Sequence, residues 1–178
     1  MINSELKERL TDAIALLNVP GIGRGRFNKL VQAFGSPSSV VEATIFELES
    51  VPGISHELAT TIKTSLDREN ASQIASRIVQ LGWEVLFADQ SEYPKQLLSI
   101  PDYPPVLFRI GQPIANNDKM IAVVGTRHPT EKGKLFTFKL ASALAQAGIT
   151  VVSGMAEGID SAAHKGALDG GGKTVAVW

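Results

Sequence analysis

No cysteine occurs in this chain, which excludes disulfides and thiolate metal ligands. Long apolar runs are missing too. Nothing approaches the roughly 18 consecutive residues that a membrane-spanning helix needs, and the opening MINSELKERL is charged rather than signal-like, so the cytoplasm is the expected location. There is no G-x-x-x-x-G-K-[ST] string, hence no P-loop. A strong net charge is also lacking, at 17 Lys and Arg against 18 Asp and Glu. The small total hides an asymmetry. Residues 119–178 hold seven basic against four acidic side chains, net +3, whereas residues 1–118 hold ten against fourteen, net −4.

What remains is a soluble composition, 44% apolar over 178 residues, which suits one large or two small domains. The basic part carries the most informative pattern. Residues 121–178 read as strand, glycine loop, helix, strand, glycine loop, helix, strand, the rhythm of a parallel sheet with crossover helices. In such sheets ligands collect beyond the carboxyl ends of the strands, where loops run into helix N-termini and backbone N–H groups face anions. A phosphate-bearing ligand is therefore expected. The first loop, GTRHPTEKG, is not the dinucleotide fingerprint G-x-G-x-x-G. Only Gly125 fits, and Arg127 replaces the second glycine with a planar cation suited to phosphate. Pro129 and Thr130 suggest a longer turn before the helix. The second loop, SGMAEGID, supplies Ser153, Gly154 and Gly158, small enough for close backbone approach. Asp160 is placed to cap the following helix.

Upstream, residues 5 to about 80 read as helical, with Leu6, Leu10, Ile14 and Leu17 at helical spacing and turns at PGIG, FGSPSS and VPGIS. Two segments repeat. LLNVPGIGRGRFNKLV and ELESVPGISHELATTI share a helix, a Pro-Gly-Ile turn and a second helix, the form of a helix-hairpin-helix pair. Turn N–H groups in such hairpins can bind a DNA phosphate, and nearby cations strengthen that. The first hairpin has Arg24, Arg26 and Lys29; the second has only His56 and Lys63, which suits packing. Scaffolding or protein docking is the competing use of both. Between these regions, WEVLFA and VLFRIG read as strands separated by SEYPKQLLSIPDYPP, where Pro104 and Pro105 forbid helix. They are expected to extend the parallel sheet. The PIANND stretch then leads to Met120. Tyr93 and Tyr103 could stack on bases, although tyrosines beside prolines more often pack a loop.

VGTR after an apolar strand, then VVSGMAEGID, AHKGAL and KTVAVW, resemble the DNA-processing protein A family, also called Smf; YPKQLLSIPDYPPVLFRIGQ and the helical N-terminal part extend the likeness over nearly the whole chain. The resemblance implies an α/β fold in two parts, residues 1–80 a helical SAM-like domain and residues 81–178 an extended Rossmann-like domain. It implies single-stranded DNA held by Gly125, Thr126, Arg127, Ser153, Gly154, Met155 and Gly158, with Arg24, Arg26 and Lys29 as secondary phosphate contacts. Protection of incoming DNA and RecA loading in natural transformation follow from it, as does a homodimer, with no catalytic residue, metal or cofactor. Family members continue past a third strand into a further glycine loop and the rest of the sheet, so this chain is expected to be an N-terminal portion.

Each site residue also has a plainer use. Arg127 could be a surface charge, and Ser153 and Gly154 could simply shape a tight turn. His164 lies four residues after Asp160, so the two share a helical face and suggest a structural hydrogen-bonded pair rather than acid–base chemistry. Lys132, Lys134, Lys139, Lys165 and Lys173 read as solvated charges that could steer a polyanion. Glu157 would repel phosphate and should point away or cap an N–H. The competing function is enzymatic. The fold also resembles the lysine-decarboxylase-like phosphoribohydrolases, which use a glutamate in G-G-x-G-T-x-x-E, but here no carboxylate stands at that position. A dehydrogenase lacks both the second glycine and the ribose-binding acid.

Overall fold

The computed structural model describes residues 4–115 and 117–178; Asn116, in the PIANND stretch, lies outside them. Contacts divide the chain into two compact units, Met1–Pro113 and Ile114–Trp178.

The first unit begins with helices α1 (Ser4–Leu17), α2 (Arg24–Phe34), α3 (Pro37–Glu42), α4 (Ile45–Glu49), α5 (His56–Ser65) and α6 (Arg68–Gln80). Local chemistry sets their ends. Ser36, Thr44, Ser55 and Asp67 each accept from a backbone N–H three residues on, satisfying one of the donors a helix start leaves open. At α4 the cap is reciprocal, because the Glu47 carboxylate accepts from the Thr44 N–H. That bond, followed by the Thr44 hydroxyl, holds the Glu47 carboxyl below its ordinary range.

The sequence repeat is structural, with a constant offset of 32 positions from Leu16/Leu48 to Leu30/Ile62. Ile22 N–H donates to Val19 O at 3.0 Å and Ile54 N–H to Val51 O at 3.1 Å. The turn glycines share a left-handed backbone, φ 89° at Gly21 and 94° at Gly53, which costs glycine little. Both turns bury the same apolar pattern. Val19, Ile22, Phe27 and Leu30 from one hairpin join Val51, Ile54, Ala59 and Ile62 from the other in one core.

Strands β1 (Glu84–Phe87) and β2 (Val106–Arg109) do not extend the parallel sheet as expected. They pair antiparallel with each other, Val85 opposite Phe108 and Phe87 opposite Val106. Apolar contact explains their place, since Val85 and Phe87 are part of the helical core. Arg9 of α1 lies 4.0 Å over the Phe87 ring and pairs with Asp89 at 2.8 Å. The proline-rich connection is tied down likewise. Tyr93 is wholly buried and its hydroxyl donates to Pro104 O at 2.6 Å, so it packs the loop instead of offering a face to bases. Burial, then neighbouring Tyr103, pushes its phenol up from 10.0. Asn28 donates to Tyr103 O at 3.0 Å.

The second unit is β3 (Met120–Ala122), α7 (Glu131–Gln146), β4 (Thr150–Gly154), α8 (Ile159–Asp169) and β5 (Thr174–Val177). Its strands are parallel in the order β3-β4-β5. With that order, right-handed crossovers place both helices on one face. Val151 packs there among Ala141, Ala145, Ala163 and Ala167. Small residues let the helices approach closely: a Cβ on Gly166 would stand 2.2 Å from Phe138 O, and one on Gly170 2.5 Å from Ser142 O.

Candidate nucleic-acid interface

Both glycine loops stand at carboxyl ends of strands, after β3 and after β4, and the structure brings them together. The second loop closes on the first through Ile159 N–H, which donates to Thr126 O at 3.2 Å. Two glycines make this approach possible. A Cβ on Gly125 would lie 2.7 Å from Ile159 Cγ1; one on Gly158, whose φ is 87°, would lie 2.4 Å from Thr126 O and 2.7 Å from Arg127 O. The glycines expected to admit a ligand thus also admit each other's loops.

Two sequence expectations about the second loop are corrected. Asp160 is not the cap of α8, because the helix starts one residue earlier, at Ile159, with Gly158 as its N-cap and no side chain bonded there. Nor does Asp160 pair with His164. His164 Nε2 meets Gly154 O at 2.8 Å and Nδ1 meets Thr174 Oγ1 at 2.7 Å. Asp160 is instead buried at 7% exposure, its Oδ1 has no hydrogen-bond partner, and its Oδ2 fills the space a Gly154 side chain would need, 2.6 Å from that Cβ position. The i, i+4 spacing places two side chains on one face, but both ring nitrogens are taken by groups from the strands, Gly154 O and Thr174 Oγ1.

The other expected site residues divide into engaged and open groups. Ser153 is 2% exposed and its hydroxyl donates to Val123 O at 2.6 Å, tying β4 to the end of the neighbouring strand. Thr126 Oγ1 accepts from His128 N–H at 3.1 Å, a local bond within the first loop. Thr130 caps α7 by accepting from Gly133 N–H at 3.1 Å, in keeping with a longer turn. Open are Gly125, Arg127 and Glu157, all exposed, and Met155, 60% exposed. Arg127 forms no ion pair among the described residues. The N–H groups of Ala156, Glu157 and Gly158 meet no acceptor there either, whereas that of Met155 is turned toward Val177 O by the pairing of Gly154 with Val177.

A groove beside the first loop is lined by Arg127, His128, Glu131, Lys134, Glu157 and Lys165, among others. Lys134 is held by Glu131 at 2.9 Å, leaving Arg127 and Lys165 as unpaired cations against Glu157. Lys165, which the sequence presents as a solvated charge able to steer a polyanion, lines this groove. Lys173 is engaged with Asp118 at 3.5 Å. In the helical unit, Arg24 pairs with Asp102 at 3.3 Å and Arg26 donates to Gly21 O at 2.7 Å. Lys29 reaches the second turn, its Nζ 3.9 Å from the Cβ position of Gly53. Lys63 donates to Val41 O and Ala43 O at 2.7 and 2.9 Å, and His56 bonds Glu49. Among the described residues no group of three or more His, Asp or Glu could hold a metal, and no helix is long and apolar enough to cross a membrane.

Residues 84–178 match the family model described as DNA recombination-mediator protein A, and residues 13–68 match the SAM-like helix-hairpin-helix tandem. The chain is 33% identical over 169 residues to Protein Smf of Synechocystis, covering 92% of this chain and 42% of that protein. It is 36% identical over 113 residues to Protein Smf of Escherichia coli, covering 64% and 30%. The X-ray structure of DNA processing protein A from Streptococcus pneumoniae aligns with a TM-score of 0.69 and 26% identity, over 94% of this chain and 56% of that one. The chain therefore spans less than half the length of these two curated relatives.

Proposed function

The chain belongs to the DNA recombination-mediator protein A family, and from that premise we propose that its second unit is part of a single-stranded DNA-binding surface that works without chemistry. The observation that carries this reading is the convergence of the two glycine loops around an unpaired Arg127, with a run of backbone N–H groups lacking acceptors from Ala156 to Gly158. Phosphate oxygens complement both. A guanidinium gives charge-assisted bonds, and consecutive free N–H groups form an anion-binding concavity. Gly125, Thr126, Arg127, Gly154, Met155 and Gly158 contact the strand in this reading, mostly through backbone. Ser153 contributes through the turn it braces, because its hydroxyl is already bonded.

The wider role proposed is protection of incoming single-stranded DNA and RecA loading in transformation, by a homodimer in the cytoplasm. Residues 1–80 and 81–178 are its two domains in this reading, supported by the family match that begins at residue 84, although by contacts residues 81–113 group with the helices and the compact units meet at Pro113 and Ile114. Arg24, Arg26 and Lys29 form a secondary phosphate surface, which requires Arg24 to leave Asp102. Arg127→Glu is the direct test. Replacing a phosphate-facing cation by an anion should weaken binding of a fluorescent oligo-dT by roughly 10- to 100-fold in anisotropy, with unchanged far-ultraviolet circular dichroism. Wild-type affinity in that variant would falsify the site. Incubation with nucleoside monophosphates should release no free base; release above a no-protein control would favour the phosphoribohydrolase reading.

A further inference from the structure

Phosphate contacts hold a nucleic acid without telling one strand from two, because single and double strands present the same phosphodiester oxygens. Arg127 and the loop N–H groups therefore do not select single strands. Selection needs a place that only an unpaired base can enter, and the groove of about 760 Å³ beside Arg127 has the shape for it. Two helices form its sides. Lys134, Leu135 and Phe138 stand on one face of α7, and Ser161, Ala162 and Lys165 on one face of α8, each set at helical spacing. The groove stops where the helices meet. A Cβ on Gly166 would lie 2.2 Å from Phe138 O, which closes that end, while the other end opens on Arg127, His128 and Gly158 of the two loops.

The lining is apolar within and charged at the rim. Leu135 is 54% exposed, Phe138 is half-buried and Ala162 is buried, so a large aliphatic side chain and an aromatic one lie open to whatever enters. Nearby polar groups are engaged. Ser161 Oγ donates to Ala156 O at 2.9 Å and Lys134 is held by Glu131, which leaves Arg127 and Lys165 as the rim's unpaired cations, opposed by Glu157. A nucleotide has the matching halves, a flat base and a charged phosphate. Bases of single strands stack on aromatic side chains, and the exposed His128 offers a second ring at the mouth. We infer that the groove between α7 and α8 takes one unpaired base of the strand whose phosphate lies at Arg127, resting it on Leu135 and Phe138, and that this contact makes the surface selective for single strands. A base in a duplex reaches it only by leaving its stack and its partner. The inference rests on the phosphate-binding reading of the loops.

The experiment measures anisotropy on the whole chain with three probes of equal length: oligo-dT, an oligomer of abasic tetrahydrofuran sites, and a duplex. Only the first offers an unpaired base. One stacked base corresponds to about a tenfold gain in affinity, so the wild type should prefer oligo-dT to the abasic oligomer by about that factor and bind the duplex as weakly as the abasic strand. Leu135→Asn changes no charge. It should weaken oligo-dT binding, leave the abasic oligomer unaffected and bring the preference toward unity, whereas Arg127→Glu should weaken oligo-dT and abasic oligomer alike. The wild-type comparison stands even if Leu135→Asn proves unfolded. Equal wild-type affinity for oligo-dT and the abasic oligomer overturns the inference while leaving the phosphate reading intact, and so does a full preference retained by a folded Leu135→Asn. Equal binding by wild type and Arg127→Glu takes down the phosphate reading, and this inference with it.

Discussion

At the scale of single residues, glycine does two separate jobs in the second unit, and a substitution can tell them apart. Gly148 has φ 74° with open space around its Cβ position, whereas Gly158 has φ 87° and backbone oxygen within 2.4 Å. Alanine at Gly148 meets only the left-handed backbone penalty, about 1 kcal/mol. Alanine at Gly158 adds a collision with Thr126 O and Arg127 O, neither of which can move without opening the loop junction. Gly158→Ala should therefore destabilise by about 2–3 kcal/mol and weaken oligo-dT binding, while Gly148→Ala binds normally. Denaturant titration of both variants checks this. Equal losses would mean that loop-to-loop contact is not what makes Gly158 necessary. That Arg127 and Gly158 stand in loops beyond strand ends was legible in the sequence, because an apolar strand that runs into small residues marks where the sheet stops. The partners of His164 were not, because helical spacing says which side chains share a face and not which carbonyl arrives from another element.

Elements were read well where they are local and poorly where they depend on a partner. Helices α1, α2 and α5 follow from apolar spacing and turn chemistry, and the repeat of 32 residues survives in the fold because both Pro-Gly turns need the same backbone. Strands β1 and β2 were recognised as strands but given the wrong partner. Their apolar composition suits any buried face, and the helical core that receives Val85 and Phe87 is assembled from residues far away in the sequence. The contact of α7 with α8 shows a second limit of local rules. Glycine inside a helix is ordinarily destabilising by roughly 0.5–1 kcal/mol relative to alanine, so Gly166→Ala would stabilise an isolated α8. Here the added methyl would lie 2.2 Å from Phe138 O on α7. Gly166→Ala should instead lower the melting temperature, while Gly25→Ala in α2, with nothing within 4 Å, should raise it slightly. A stabilised Gly166→Ala would show that α7 and α8 can separate at little cost.

For the molecule as a whole, the two units differ in how much apolar surface they can bury within themselves. Residues 1–113 assemble a core from Leu10 to Phe87 that includes Leu16, Phe27, Leu30, Leu48 and Ile62, joined by Val85 and Phe87 of the hairpin. The buried cluster of residues 114–178 is Ala141, Ala145, Val151, Ala163 and Ala167, four alanines and one valine. Since apolar burial contributes about 25 cal/mol per Å², a cluster of methyl groups offers little against the entropy of ordering its chain. The sheet face away from α7 and α8 adds to the difficulty, for alternation places Val124 and Val177 on it, 71% and 59% exposed. Expressed separately, residues 1–113 should give a dispersed amide spectrum and a single cooperative thermal transition. Residues 114–178 should give neither, and should associate through uncovered strand edges. Light scattering and circular dichroism on the two pieces decide it. A monomeric, cooperatively melting 114–178 would mean that close helix packing across Gly166 and Gly170 is worth more than its small apolar core suggests.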